Sequence, residues 1–361
     1  MKTRLIAGAL LLFGLVAACS SGDSSELGSS KDQTDAVGAN GFGDGKKHKD
    51  SKSNDNVVET TAACDDETGD TATDFAHAMG ICHDAKKDGF GLVKAEFTRG
   101  FNDPSAPESA QHGTLSKFGS VIKPREGQKL GILSTGFADE FNGSSSTPFY
   151  KGKHWWHDET VEDQLPAGFP KAAGDCAQES GVSDIIVLKL TLKAPPSAGG
   201  FKFDFNFHSS EWPEWICTKF NDGFIAYLTS KGKTDNISFD SKDNPVSVNN
   251  AFFDRCTPNV EMGCEAKKEM ISECPSGDAE LAGTGYGIKA DACDSGKKAT
   301  QGGATGWLSS SAPIEPDEEF TLELAIWDTG DGDLDSSVLL DNFRWVGGAT
   351  QTTTERPSDV K

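Results

Sequence analysis

The segment Phe201-Lys-Phe-Asp-Phe-Asn-Phe207 decides the fold class of this chain. Phenylalanine occupies every second position, and a polar residue stands between each pair. Because successive side chains of a β-strand point to opposite faces, this alternation predicts a strand with one apolar face and one polar face. We expect the phenylalanines to turn inward between two stacked sheets.

The rest of the chain favours further strands and few helices. Apolar alternation or β-branched and aromatic runs bounded by turn residues occur at 131–134, 184–192, 223–228, 320–327 and 338–345. A helical pattern is limited to residues 74–79. Strands with one apolar face, glycine-rich connections and no long helix predict an all-β fold, a single jelly-roll-like β-sandwich domain.

The N-terminus has the pattern of an export signal. A basic start precedes a short apolar run at 5–16, which ends in Val16-Ala-Ala-Cys19 and resembles a bacterial lipoprotein signal. We expect residues 1–18 to be a lipoprotein signal peptide and Cys19 to carry the lipid; an ordinary secretory signal with a chance cysteine is the alternative. Ser20 favours the outer membrane over inner-membrane retention.

Composition changes along the chain define its organisation. Residues 19–73 are dominated by Ser, Gly, Asp, Lys and Asn, a composition that cannot bury enough apolar surface to fold and predicts a disordered, lipid-anchored tether. Residues 74–346 form the predicted domain, and residues 347–361 a polar tail.

Charge limits the partners of the chain. The formal net charge is −22, which argues against nucleic acid and against anionic lipid surfaces, because both require a basic face. We expect membrane contact through the N-terminal lipid only, and a surface glycan or a protein as the ligand. The predicted location is the outer membrane or cell surface, with the periplasmic face as the alternative.

The cysteines besides Cys19 are even in number, which in an exported chain predicts four disulfides with about a hundred possible pairings. Zinc is the competing interpretation, but no C-x-x-C pair occurs and the histidines are scattered. The predicted disulfide cysteines are Cys64, Cys82, Cys176, Cys217, Cys256, Cys264, Cys274 and Cys293.

An acidic loop provides the strongest candidate site. The segment Asp328-Thr-Gly-Asp-Gly-Asp-Leu-Asp335 places four carboxylates between two predicted strands. Crowded carboxylates repel one another unless a cation or hydrogen bonds offset the charge, and calcium prefers oxygen ligands in flexible geometry. A solvated acidic turn is the alternative to a calcium site. The candidate ligands are Asp328, Asp331, Asp333 and Asp335 from this loop, with Glu211, Asp222 and Asp341 from neighbouring strand ends.

Other chemical motifs are weaker, and we predict no catalytic residue. Glu211 and Glu214 resemble a glycosidase pair, but loop carboxylates that bind backbone amides or metal are the simpler interpretation. The segment His154-Trp-Trp-His-Asp-Glu159 lacks the helical spacing of a zinc motif and favours a surface loop. Four tryptophans are candidates either for sugar stacking or for core packing: Trp155, Trp156, Trp212 and Trp215.

Several motifs resemble the choice-of-anchor L domain of bacterial surface proteins. They include the segments 203–215, 220–224, 236–241, 244–253, 303–307, 325–331 and 339–345, together with shorter matches at 78–82, 111–113 and 133–136. The resemblance implies an exported β domain joined to one of several kinds of anchor, with no established activity. Trp212 and Trp215 stand where this family more often has tyrosine.

Three functions remain open at this point. The first is a binding or adhesion module on the cell envelope, with calcium shaping its loops. The second is an exported hydrolase acting on polysaccharide or protein, which requires a cleft with paired carboxylates or a Ser/His pair. The third is a structural envelope component without a ligand.

Overall fold

A computed structural model of the 361-residue chain describes residue 64, residues 69–138, residue 161 and residues 163–358. The compact unit that contains them spans Ser53–Lys361. The predicted signal peptide, Cys19, most of the predicted tether and the segment His154–Glu159 lie outside the described residues.

The described part is an all-β sandwich of two large antiparallel sheets, as the sequence predicts. Consecutive long strands lie in opposite sheets, which is the jelly-roll-like arrangement. The first sheet contains, in spatial order, β1 (Gly91–Thr98), β4 (Val182–Lys193), β15 (Glu319–Thr329), β6 (Gly223–Thr229) and β7 (Thr234–Asn236), with β8 (Val246–Ser247) also paired to β6. The second contains β17 (Thr353–Glu355), β14 (Leu308–Pro313), β5 (Ala198–Ser209), β16 (Ser336–Gly347), β3 (Leu130–Ser134) and β2 (His112–Leu115), with β13 (Gly303–Ala304) also paired to β5.

Short elements complete the described chain. Two small hairpins pair β9 (Glu261–Met262) with β10 (Met270–Ile271) and β11 (Lys289–Asp291) with β12 (Lys298–Thr300). The α-helices are α1 (Ala72–Ala78) and α2 (Ala85–Asp88), and single 3-10 turns occur at Ser109–Gln111, Ala279–Leu281 and Gly285–Gly287. Among the described residues, none of the helices has the length and apolar character needed to cross a bilayer.

The phenylalanines of β5 lie in the centre of the sandwich, which confirms the predicted orientation. Phe201, Phe203, Phe205 and Phe207 are all fully buried in the core between the sheets. The ring of Phe201 stacks on Phe320 of the facing sheet at a centroid distance of 5.3 Å, and Phe205 meets Phe224 at 5.1 Å. The β5 alternation therefore supplies the contact that joins the two sheets.

The polar face of β5 is also buried, which the alternation does not reveal. A second apolar cluster that includes Phe118 and Tyr286 covers this face. Beneath the cover, Asp204 forms ion pairs with Arg125 at 3.0 Å and Arg344 at 3.3 Å. Loops from distant parts of the sequence provide this cover, so strand periodicity alone does not predict it.

The eight predicted cysteines form four disulfides, and their pairing extends the folded unit toward the N-terminus. The pairs are Cys64–Cys82, Cys176–Cys217, Cys256–Cys274 and Cys264–Cys293. Cys64 lies within the predicted tether 19–73, and α1 begins at Ala72 after the N-cap Thr71. The sequence boundary at 74 is therefore later than the start of ordered contacts, because a disulfide and a helix cap leave no hydrophobic pattern.

The predicted polar tail 347–361 contains β17, which pairs with β14. Hydroxyl contacts line this pairing: Ser310 Oγ lies 2.9 Å from Thr354 Oγ1, and Ser311 Oγ lies 2.9 Å from Thr353 Oγ1. A strand held by a serine and threonine ladder has no apolar alternation. Composition therefore identified this segment as polar but did not predict its pairing.

Replacement of Phe203 by alanine tests the role of the β5 core. Removing a fully buried ring leaves a cavity, so we expect the free energy of unfolding to fall by about 3–5 kcal/mol. Denaturant unfolding measures this loss. Glu319→Ala at an exposed position of β15 is the control and should change stability by less than about 0.5 kcal/mol; equal losses for both variants would contradict the packing described above.

Candidate acidic site at one end of the sandwich

Strand order brings most of the predicted metal ligands to one end of the sandwich. Residues 330–335 connect β15 to β16 and therefore cross from one sheet to the other. Asp328 lies near the end of β15, and Asp335 comes directly before β16. Asp222 precedes β6, whose first residue Gly223 pairs with Trp327. Residues far apart in the sequence therefore meet at this end.

Glu211 reaches the same end from the second sheet. It follows β5, where Ser209 pairs with Ser336 at the start of β16. Burial leaves only 3% of Glu211, 1% of Asp222 and 2% of Asp328 exposed. We call the carboxyl groups of Glu211, Asp222, Asp328, Asp335 and Asp184 the acidic cluster.

Asp222 holds the two sheets together at the cluster. Its Oδ1 accepts a hydrogen bond from the backbone N–H of Thr329 in β15 at 3.0 Å. Its Oδ2 accepts from the hydroxyl of Ser336 in β16 at 2.7 Å. Both oxygens are therefore engaged across the gap between the sheets, which fixes this carboxyl group in place.

Other oxygens of the cluster are not matched by donors. Both carboxyl oxygens of Asp328 and Oε2 of Glu211 are buried without a hydrogen bond of ordinary geometry among the described residues, although Thr135 and Asp222 lie close enough to Asp328 to interact with it. A buried polar atom without a partner costs about 1–3 kcal/mol, and more if it is charged. These oxygens are the clearest sign that the cluster accommodates a proton or a cation.

Asp184 belongs to the cluster but was not predicted from the sequence. It lies in β4 where the pairing with β15 shifts register between Ile326 and Asp328, and its backbone is left-handed with φ 47°. A Cβ added to Gly332 would stand 2.6 Å from its Oδ2, so the acidic loop closes directly over it. The sequence signal that could have identified Asp184 is an aspartate near the start of an otherwise apolar strand.

Burial and then mutual repulsion raise the pKa values of Glu211, Asp222 and Asp328. Burial raises the pKa of Asp222 to about 7, with a smaller contribution from Asp331, against the hydrogen bonds from Ser336 and Thr329. Burial and then the nearby charges of Asp222 and Asp331 raise the pKa of Glu211 well above its ordinary value. The pKa of Asp328 is likewise raised, first by burial and then by its acidic neighbours.

The remaining predicted ligands lie in different surroundings. Asp331 is exposed at the rim, close enough to raise the pKa values of Glu211 and Asp222. Asp333 is exposed, and its backbone N–H donates to Asp331 Oδ1 at 3.3 Å. Asp341 lies outside the cluster.

Asp341 lies farther along β16, where it pairs in register with Asp204. Five residues separate it from Ser336, which corresponds to about 16 Å along a strand. Its carboxylate accepts backbone N–H groups of Arg125 and Asn342. The structure therefore places Asp341 in a separate network on the covered face of the second sheet, because the strand leads it away from the acidic end.

The other candidate residues do not share the cluster. Glu214 is half-buried, and its Oε1 lies 3.5 Å from the backbone N–H of Cys293, whereas Glu211 faces Asp222. Trp212 is buried with 2% exposure, and Trp215 packs edge-on against Phe220 at 5.5 Å. Trp155 and Trp156 lie outside the described residues.

The ligand atoms are all oxygens, which is the donor type that calcium prefers. Among the described residues, however, no group of three or more His, Cys, Asp or Glu side chains is arranged so that it could hold a metal ion. The calcium site thus stays a prediction.

Comparison with known proteins gives the family. The model of the choice-of-anchor L domain matches residues 104–343, more than half of the chain. The chain belongs to the choice-of-anchor L domain family. No curated protein and no solved structure matches it significantly.

The choice-of-anchor L match includes all five residues of the acidic cluster, from Asp184 to Asp335. Three of the four disulfides also lie within it. Disulfides persist in oxidising compartments, so the family and the cysteine pairing together indicate an extracytoplasmic, surface-associated protein.

The cluster should make stability depend on pH when no divalent cation is present. The pKa of Asp222 is about 7 in the folded chain and about 4 for an unperturbed aspartate. The folded state therefore holds a proton that the unfolded state releases between these values. The stabilisation is complete below about pH 4 and is lost as the pH rises toward 7.

Denaturant unfolding in EDTA across this pH range measures the effect. Asp222→Asn should remove the contribution of Asp222 and so reduce the pH dependence between pH 4 and 7, to which Glu211 and Asp328 also contribute, whereas Asp333→Asn at an exposed position should leave it unchanged. Identical pH profiles for the wild type and Asp222→Asn would contradict the proposed proton uptake.

Proposed function

We propose that this protein is a lipid-anchored envelope lipoprotein that presents its β-sandwich as a binding or adhesion module, with calcium at the acidic cluster. The observation that carries the proposal is the burial of Glu211, Asp222 and Asp328 together, with carboxyl oxygens that make no hydrogen bond of ordinary geometry among the described residues. The ligand would be a surface glycan or a protein.

Calcium accounts for the cluster better than protons do. Carboxyl groups that crowd together in a buried site repel one another once ionised, and only a cation or protonation relieves that repulsion. Burial raises the pKa values of Glu211, Asp222 and Asp328, so without a cation these groups hold protons, and a cation that binds them must displace those protons. A calcium ion neutralises two charges at once and accepts six to eight oxygen ligands.

The residues present fit calcium in chemistry, and rotation of their side chains would have to complete the shell. Asp328 supplies two oxygens without a hydrogen bond of ordinary geometry among the described residues, and Glu211 supplies one. Asp222 is already held by Thr329 and Ser336, so it would act as the fixed part of the site. Bound calcium would neutralise these carboxylates and hold the ends of β5, β6 and β15 together.

The exposed loop at the rim of the cluster favours a role in ligand recognition over a purely structural role inside the protein. Asp331 and Asp333 are exposed on the loop that crosses between the sheets. A cation beneath this loop would fix its shape, and rigid loops lose less entropy on binding a ligand. Residues 19–73 would act as the tether that the sequence predicts and link the lipid anchor to this domain.

Calcium should stabilise the full chain. A ligand that binds only the folded state raises stability by mass action, by about 2.7 kcal/mol at a hundredfold excess over Kd. Thermal unfolding in calcium and in EDTA measures the shift. We expect a higher melting temperature in calcium, with magnesium less effective because it requires stricter octahedral geometry.

Matched variants assign the calcium effect to the cluster. Asp328→Asn should abolish most of the calcium-dependent shift, whereas Asp333→Asn, which is exposed on the same loop, should retain it. If the wild type has the same melting temperature in calcium and in EDTA, calcium does not bind the cluster. Protons alone would then neutralise its carboxyl groups, and the proposed metal site would be rejected.

The lipid anchor is tested separately. Cells that express the wild type and are fed a radiolabelled fatty acid should yield a labelled, membrane-associated protein, and Cys19→Ser should yield neither label nor membrane association. The thiol accepts the lipid, so a serine cannot replace it. Membrane association that persists without label in Cys19→Ser would contradict lipid anchoring.

A further inference from the structure

A cavity outside the acidic cluster has the properties of a preformed ligand site. Its volume is about 440 Å³, which lies within the range of about 300–1,000 Å³ common for small-molecule pockets. Its apolar walls come from segments that follow β5 and surround β9 and β10. The apolar lining includes Trp212, Ile216, Val248, Phe253, Met262 and Met270.

Two disulfides cross-link segments that line the cavity. Cys176–Cys217 and Cys256–Cys274 both line it, so two of its walls are covalently cross-linked to other segments of the chain. Cross-links of this kind restrict collapse of the walls onto one another. The cavity is therefore a built feature of the fold, and a ligand would not have to open it.

The buried polar groups of the lining are already satisfied within the protein. The Nδ2 of Asn250 donates to the carbonyl of Pro245 at 3.0 Å, and its Oδ1 accepts from the backbone N–H of Phe252 at 2.8 Å. The hydroxyl of Ser272 donates to the carbonyl of Thr257 at 2.8 Å. A ligand therefore needs no hydrogen-bonding groups inside the cavity, which favours an apolar body.

The charges that line the cavity are negative. Asp254 and Glu273 are the charged residues in the lining. Asp254 is paired with Arg255 at 2.7 Å and with Arg356 at 2.8 Å, whereas Glu273 is exposed. The strongly acidic chain adds to the attraction for cations, although Lys268 lies near one wall, 2.9 Å from Cys217 Sγ. A positive head group near Glu273 would complement this charge.

We propose that this cavity binds the apolar tail of a small organic cation, with the tail against Trp212 and Met270 and the positive head near Glu273. Burial of the tail provides the main favourable free energy, at about 25 cal/mol per Å² of apolar surface. Attraction to Glu273 orders the head group at the mouth. The proposal does not depend on calcium or on the lipid anchor.

Three probes with the same ten-carbon tail test the site by isothermal titration calorimetry, each below its micellar concentration. They are decyltrimethylammonium, decyl maltoside and decanesulfonate. We expect the cation to bind most tightly, the neutral probe less tightly and the anion most weakly. Failure of all three to bind, or equal affinity of the anion and the cation, would overturn the proposal.

Paired variants locate the tail and the head. Met270→Arg should reduce the affinity for the cation by more than about tenfold, because it places a charge in the apolar wall. Ile271→Arg, at a neighbouring residue that is 60% exposed and outside the lining, should leave it unchanged. Equal losses for the two variants would indicate non-specific adsorption to the surface and would reject the cavity.

The head group is tested by charge reversal. Glu273→Lys should lower the affinity for the cation by about three- to tenfold, a size expected of an exposed charge pair. The same change should raise the affinity for the anion. Glu269→Lys, which is exposed and outside the lining, is the control and should change neither. Light scattering of the wild type and of Met270→Arg completes the test. A wild-type dimer that Met270→Arg dissociates would show that a second copy of the chain occupies the cavity, and this result would overturn the proposal.

Discussion

Packing between the faces of two sheets is the constraint on which the other features of this protein depend. The phenylalanines of β5 must meet side chains of the first sheet, such as Phe320 and Phe224, and this contact fixes how the two sheets face each other. Antiparallel pairing then determines which strand ends lie together. The end of β15, the start of β16 and the residues around β5 and β6 are consequently brought to one end, with their carboxylates between the sheets.

This arrangement places like charges where water cannot screen them. Hydrogen bonds from Thr329 and Ser336 stabilise the charge of Asp222, but burial has the larger effect and its pKa still rises. The fold that excludes water from the phenylalanines therefore also buries these carboxyl groups. Either protons or a cation must neutralise their charge. Under the proposed function, calcium is the cation that relieves this repulsion.

The sequence predicts the features that arise from local pattern. Alternation predicted the orientation of Phe201 to Phe207, and the acidic motif predicted a carboxylate-rich loop between two strands, although Asp328 itself lies within β15. It also anticipated Glu211 and Asp222 as partners from neighbouring strand ends. Features that depend on strand register could not be predicted from the sequence. Asp341 lies on β16 but pairs with Asp204, and Asp184 enters the cluster only through a register shift in β4.

Contacts between residues far apart in the sequence are the second kind of feature that local sequence pattern does not predict. Nothing in the spacing of the cysteines selects Cys176–Cys217 from the many alternatives, because loop geometry decides which thiols meet. The same holds for β17, whose serine and threonine contacts with β14 carry no hydrophobic signature. The disulfide Cys176–Cys217 lines the cavity, so the cavity was not predicted either.

The acidic cluster and the cavity share one continuous hydrogen-bonded segment. Asn249, which lines the cavity, donates from Nδ2 to Asn221 Oδ1 at 2.9 Å, and the carbonyl of Asn221 accepts from Thr329 Oγ1 at 3.0 Å. The N–H of Thr329 in turn donates to Asp222. Glu211 and Trp212 are consecutive residues, so one short segment contributes a carboxyl group to the cluster and an apolar side chain to the cavity wall.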